Sequence, residues 1–250
     1  MKELYGLIGK KLVHSFSARW FNDKFGGEHI PAEYSLFPIP EIKYISRLLE
    51  ENPNLCGLNV TIPYKETVIP FLDELDEEAS AIGAVNVIKI FYDDEGRKRL
   101  KGFNSDIYGF SSSITPMLNG NERNALVLGT GGASKCVCYS LEMRGIKVRF
   151  VSRSHSDDER ILTYDELTPD IIREADIIVN TTPSGMYPNV ESCPDLQYDE
   201  ILSGTICFDL IYNPEETKFL KLCRQNGAIV KNGLEMLYLQ AERSWEIWSN

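Results

Sequence analysis

The chain has 250 residues, a length that favours two modest domains, and sets 26 Lys plus Arg against 37 Asp plus Glu for a formal net charge of −11. That excess of negative charge excludes a non-specific hold on nucleic acid or on an anionic membrane. Hydrophobic residues at 43% and charged residues at 25% describe a globular chain, and no apolar run approaches the ~20 residues of a membrane span. Residues 1–11 are broken by charge and lack a signal-peptide core, so a cytoplasmic protein is expected.

In chain order, the pattern predicts a strand over 4–8, a helix over 18–25 closed by Gly26 and Gly27, a strand over 33–37 ending before Pro38, and a helix over 41–51. A strand over 58–62 follows, then, after Pro63, a short helix to 72, a helix over 76–82, and strands over 84–92 and 99–103 joined by the turn Asp93-Asp94-Glu95-Gly96. A polar link at 120–124 opens a second unit: strand 125–128, a glycine turn and helix, strand 147–151, helix 162–174, strand 176–180 and strand 206–210. Over 234–248, Leu234, Leu237, Ala241, Trp245 and Trp248 recur at helical spacing and must pack on something. Alternating strands and helices imply an α/β fold: an N-terminal α/β domain over 1–120, a Rossmann-type doubly wound parallel-sheet domain over 121–233, and a helix over 234–250 that returns to the first.

Cys56, Cys136, Cys138, Cys193, Cys207 and Cys223 show neither disulfide-framework nor zinc-site spacing, and His14, His29 and His155 do not sit at metal-ligand spacings. No metal is expected, and most of the thiols are expected as small buried hydrophobes.

The strongest chemical signal is Gly129-Thr130-Gly131-Gly132-Ala133-Ser134, a G-x-G-x-x-small turn between a strand and a helix. Gly129 permits the tight turn, Gly131 lets the backbone approach a pyrophosphate, and Ser134 lets the helix sit close to the sheet; N–H groups of the helix start then face the phosphates. The bland alternative is a tight turn without a ligand. The next strand ends Ser152-Arg153-Ser154, where an arginine flanked by hydroxyls suits a 2′-phosphate and no carboxylate awaits the ribose of NAD.

Lys65 falls in the first turn of the helix after Pro63, where a cation opposes the helix dipole by a few tenths to about 1 kcal/mol. Breaking a local rule marks a functional candidate, although alone it reads more simply as an exposed lysine relieved by Glu66. Asp106 precedes a helix that begins near Ile107 and, alone, reads as an N-cap. Asn86 lies in an apolar strand and needs hydrogen-bond partners, and Gln240 raises the same question beside Met236 and Leu237. Ser15 and Ser17 flank Phe16 just after the first strand.

Together these segments resemble the shikimate dehydrogenase family over essentially the whole chain and in the family's order. Ser15-Phe16-Ser17 looks like the family's S-x-S, Asn59-Val60-Thr61-Ile62-Pro63-Tyr64-Lys65 its catalytic-lysine motif, and Gly83-Ala84-Val85-Asn86 its G-A-V-N segment. Gly102-Phe103-Asn104-Ser105-Asp106 is similar to its G-x-N-T-D with Ser105 for Thr, and Asn180-Thr181-Thr182 to its N-A-T-S segment with Thr181 for Ala and Pro183 for Ser.

The resemblance implies a substrate domain followed by a cofactor domain, and reversible hydride transfer between NADPH and 3-dehydroshikimate. It makes Lys65 and Asp106 the catalytic pair, with Ser15, Ser17, Thr61, Asn86, Tyr212 and Gln240 holding substrate. Gly129, Gly131, Gly132, Ala133, Ser152, Arg153, Ser154 and Thr182 would hold NADP, and the backbone of Gly233 would meet the nicotinamide. One departure concerns the phosphate turn, which in the family carries a second cation four residues after the arginine; here Asp157 stands there. The expected partner is the small-molecule substrate alone, and the expected assembly a monomer or homodimer. The alternatives are an NAD-using quinate/shikimate dehydrogenase, which an acidic end to the second Rossmann strand would have favoured, and a non-catalytic dinucleotide sensor, which loss of Lys65 or Asp106 would have favoured.

Overall fold

All but the first residue of the opening strand, Glu3–Gly9 (β1), are buried, as a strand covered on both faces requires. The computed structural model describes residues 2–12 and 15–250; His14 lies outside them. The helix Phe16–Gly27 (α1) follows, then strand Ala32–Pro38 (β2), a 3-10 turn leading into helix Ile45–Glu51 (α2), strand Leu55–Val60 (β3) and the one-turn helix Tyr64–Thr67 (α3). After strand Glu74–Leu75 (β4) and helix Glu77–Ile82 (α4), the hairpin Val87–Tyr92 (β5) and Lys98–Phe103 (β6) completes a six-stranded sheet in the order β2-β1-β3-β5-β6-β4. Strand β1 runs parallel to β2 and β3, while β5 is antiparallel to β3 and β6. The ends of β1, β3 and β6 and the start of β5 therefore share one edge.

Three expectations shift here. Helix α1 begins earlier because Ser15 is its N-cap, and it runs through Gly26 and Gly27; the left-handed residue beyond it is His29, with φ 57°. The strand predicted over 58–62 stops at Val60, since the chain turns where Tyr64 N–H donates to Thr61 C=O, leaving Ile62 78% exposed. Asp106 is the second residue of helix Ser105–Ile114 (α5), not its N-cap.

The second sheet is built from Asn124–Leu128 (β7), Lys147–Ser152 (β8), Ile161–Thr163 (β9), Ile177–Asn180 (β10), Ile206–Asp209 (β11) and Ile229–Lys231 (β12). Its helices are Gly132–Glu142 (α6), Pro169–Arg173 (α7), Lys218–Gln225 (α8) and Leu234–Ser249 (α9). Strand order is β12-β11-β10-β7-β8-β9 and every pairing is parallel, the doubly wound order in which the first and fourth strands of the unit are neighbours. The helix predicted over 162–174 is corrected: residues 161–163 pair with β8, a capping box of Thr163 and Glu166 starts a 3-10 turn, and Thr168 caps the short α7. The unit edges fall inside two helices, since Met1–Ser105 and Ala241–Asn250 form one compact unit and Asp106–Gln240 the other.

The C-terminal stripe is rotated from the predicted one. Leu234 is 39% exposed, whereas Ala241, Ser244 and Trp248 are buried. The Trp248 indole packs on Gly57, where any Cβ would strike the ring, donates through Nε1 to Ile88 C=O at 3.0 Å, and lies 4.9 Å from the Tyr5 ring centroid. Replacing Trp248 with Ala should destabilise this unit by ~3–5 kcal/mol through the cavity and the orphaned carbonyl. Denaturant unfolding measures it, and a loss below about 1 kcal/mol would show that the helix is not anchored there.

Candidate active site

In the first unit the residues singled out from sequence gather on the edge formed by the ends of β1, β3 and β6. Thr61 N–H donates to Ile8 C=O at 3.0 Å, and its methyl fills the space a Cβ on Gly9 would need. Val60 N–H donates to Asn86 C=O at 2.9 Å and Val85 N–H to Lys65 C=O at 2.7 Å, so Thr61, Lys65 and Asn86 are fixed to one strip of backbone. Lys65 sits in a helix of a single turn, where few aligned peptides oppose its charge. Ser15 Oγ accepts from Ala18 N–H at 3.3 Å, and a hydroxyl that accepts from backbone keeps its own hydrogen to give to an anion. Ser17 stands beside the Tyr34 hydroxyl.

A buried polar network that sequence reasoning missed underlies this edge. Asn59 accepts from Tyr34 Oη at 2.8 Å and donates from Nδ2 to Asn86 C=O at 3.2 Å and Ser244 Oγ at 3.0 Å. Ser244 and Ser105 share a hydrogen bond of 3.1 Å. Asn86 Oδ1 accepts from Ser105 N–H at 2.7 Å while its Nδ2 donates to Ser105 Oγ at 3.0 Å, so this amide caps α5 and sets the backbone just before Asp106. Asn59 lies in the apolar strand β3, whereas Asn86 sits just ahead of β5 and not within the strand predicted over 84–92; the same test of a buried amide would have found Asn59.

In the second unit the candidates cluster where the strands end. Gly129, at φ 109°, could not carry a Cβ, which would meet Thr181 Oγ1 at 2.7 Å, whereas a Cβ on Gly131 would meet nothing within 4 Å. Packing thus explains Gly129, while Gly131 leaves open space before the N-terminus of α6, with Gly132 and Ala133 as the first helical residues. An open helix start of this kind is one that a phosphate can approach. Ser134 and Thr181 hydroxyls lie 2.7 Å apart, and Thr181 donates to Leu128 C=O at 2.6 Å, tying the turn to the tip of β10.

At the end of β8, Ser152 Oγ accepts from Ser154 N–H at 3.1 Å, and the exposed Arg153 stands beside Tyr164. Arg160, the next cation, is spent on Asp158 at 3.2 Å and Glu142 at 3.6 Å. Thr182 bonds the Asn180 side chain, Gly233 N–H donates to Ile211 C=O at 3.0 Å, and a Cβ on Gly233 would collide with the Leu210 carbonyl. Tyr212 is exposed beyond β11, and Gln240 Nε2 donates to Leu237 C=O at 2.8 Å. Gly109 packs against Met236 C=O and Gln240 Cβ, so α5, which carries Asp106, and α9, which carries Gln240, touch within this unit.

An N-terminal α/β unit followed by a parallel sheet in this order, with a glycine turn at its first strand, defines a Rossmann-type dinucleotide-binding protein with a separate α/β domain. Residues 7–88 match the family described as the shikimate dehydrogenase substrate binding domain. The chain is 42% identical to a shikimate dehydrogenase (NADP(+)) of Clostridium beijerinckii, over 98% of this chain and 92% of that one. It superposes with a TM-score of 0.86 at 36% identity on a chorismate mutase/shikimate 5-dehydrogenase fusion protein from Clostridium acetobutylicum, over 100% of this chain and 91% of that one. On the Thermus thermophilus shikimate 5-dehydrogenase in complex with NADP(H) and shikimate the TM-score is 0.83 at 28% identity, over 99% and 93% of the two chains. The chain belongs to the shikimate dehydrogenase family.

Burial pushes the Asp209 carboxyl up to about 6, against hydrogen bonds from Thr217, Ile211 and Asn180 that favour the charged form. A folded pKa above the unfolded value of 3.8 gives stability that is complete at low pH and lost as pH rises through about 6. Relative to Asp209→Asn, the wild type should therefore lose stability between about pH 4 and 6, approaching about 1 kcal/mol per pH unit, and level off above about pH 7. Paired denaturant melts across that range check it; a difference that stays flat would mean the carboxyl titrates normally.

Proposed function

We propose that the protein is an NADP-dependent shikimate dehydrogenase, reducing 3-dehydroshikimate reversibly to shikimate in aromatic amino acid biosynthesis, with Lys65 and Asp106 as its catalytic pair. Support comes from the full-length match to an enzyme of that name and, within the fold, from one observation: Gly131 opens the space before α6 that a dinucleotide phosphate needs. The free cysteines suit a reducing compartment such as the cytoplasm.

When bound, the nicotinamide supplies the hydride in reduction. Negative charge then develops on the ketone oxygen, and the Lys65 ammonium is assigned to stabilise it and deliver a proton. Asp106 is assigned to orient the ammonium, favour its charged form and accept from a ring hydroxyl. Ser15 and Ser17 are assigned to the substrate carboxylate, with Thr61, Asn86, Tyr212 and Gln240 on the ring. With a net charge of −11 the protein does not attract an anion at long range, so these neutral donors must offset the water the carboxylate loses. Gly129, Gly131, Gly132 and Ala133 are assigned to the pyrophosphate, Ser152, Arg153 and Ser154 to the 2′-phosphate, and Thr182 and the Gly233 backbone to the nicotinamide side.

Replacing Lys65 with Met should leave shikimate binding within several-fold and lower turnover at least ~100-fold. Turnover near the wild-type value would remove Lys65 from the chemical step. Arg153 is the cation left for the 2′-phosphate, because Arg160 is held by Asp158 and Glu142. One charge-assisted contact of ~1.5–3 kcal/mol gives NADP a lead over NAD of roughly one to two decades in kcat/KM. Arg153→Ala should erase that lead by weakening NADP while NAD changes little. An NAD-preferring wild type, or equal losses with both cofactors, contradicts the assignment.

A further inference from the structure

Asp209, Asn180 and Thr217 are buried at the ends of β11 and β10 and at the start of α8, each with no exposed surface. None can touch a bound molecule directly, yet together they hold the backbone of both loops that carry proposed contacts. Asp209 Oδ1 accepts from Asn180 Nδ2 at 3.0 Å and from Ile211 N–H at 3.0 Å, and Oδ2 accepts from Thr217 Oγ1 at 2.6 Å. Asn180 Oδ1 in turn accepts from Thr182 N–H at 3.0 Å and Thr182 Oγ1 at 2.7 Å, and Ser184 N–H donates to Thr182 Oγ1 at 3.2 Å. Thr217 Oγ1 accepts from Leu220 N–H at 3.3 Å, capping α8. Ile211 is also the residue whose carbonyl accepts from Gly233 N–H.

A fully buried carboxyl is an expensive way to fill a strand end, since an apolar side chain would avoid the desolvation. What the carboxyl supplies is acceptor geometry: two oxygens that fix donors from three separate segments. We propose that Asp209, acting through Asn180 and Thr217, is a positioning residue that sets the turn bearing Thr182 and the loop bearing Tyr212 and so controls cofactor affinity and turnover. This rests on the shikimate dehydrogenase reading for its substrate half, while its cofactor half stands on NADP⁺ binding alone.

The test pairs Thr217→Val, which keeps the volume and removes the O–H donor, with Thr217→Ser, which keeps the donor, alongside Asp209→Asn. Titration calorimetry gives the NADP⁺ dissociation constant, initial rates with shikimate give kcat and KM, and thermal melts report folding. Thr217→Val and Asp209→Asn should each raise the NADP⁺ dissociation constant and lower kcat by about ten-fold, with Thr217→Ser within about two-fold of wild type. If Asp209→Asn does not fold, the Thr217 pair decides. Folded Thr217→Val that melts at lower temperature but keeps wild-type affinity and kcat overturns the proposal, because the network would then serve stability alone. A wild type that binds NADP⁺ without oxidising shikimate would sink the substrate reading, and the affinities would still decide the role of Asp209.

Discussion

A primary amide buried in an apolar strand must find partners inside the protein or cost the fold several kcal/mol, and Asn59 finds them in separate elements. Its acceptor takes Tyr34 from β2, and its donors reach the backbone ahead of β5 and Ser244 of α9. Through Ser244 and Asn86 the same network reaches Ser105, the first residue of α5. The backbone that leads to Lys65 and the backbone that leads to Asp106 are thereby set by one set of buried hydrogen bonds. Low dielectric makes such a set cooperative and intolerant of a missing member, which suits the roles proposed for Lys65 and Asp106.

The second unit solves an analogous problem with topology. Strand β7 lies between β8 and β10, so the order of the sheet reverses at its centre, the switch point beside which sheets of this kind bind their ligands. Thr181 bridges Leu128 and Ser134 there, and Asp209 secures the neighbouring strand end. The side chains that tie these strand ends together are hydroxyls, an amide and a buried carboxyl, while the charge proposed to read the cofactor's extra phosphate stands at the surface on Arg153.

What the sequence made legible was local. The strand, glycine turn and helix around 125–142 follow from turn chemistry within a few residues, as does the hairpin closed at Gly96 with φ 75°. The helix predicted over 162–174 opens instead as a strand because a short apolar run suits a strand or a buried helix equally, and its pairing with β8 is not encoded nearby. Asn86 could be recognised as a buried amide in need of partners, but Ser105 comes from another element. Asp209 was illegible, since an acidic residue at a strand end looks like the start of a surface loop, and its burial depends on Thr217 returning beneath it. The rotation of the α9 stripe, with Ser244 buried and Leu234 exposed, reflects the polar partner waiting in Asn59 rather than hydrophobicity alone.

The proposed activity is measured most directly by the initial rate of reduced-cofactor formation by the purified protein, with shikimate or quinate crossed against NADP⁺ or NAD⁺. The highest kcat/KM is expected for shikimate with NADP⁺. A higher value for quinate with NAD⁺, or no turnover in any of the four combinations, would contradict it.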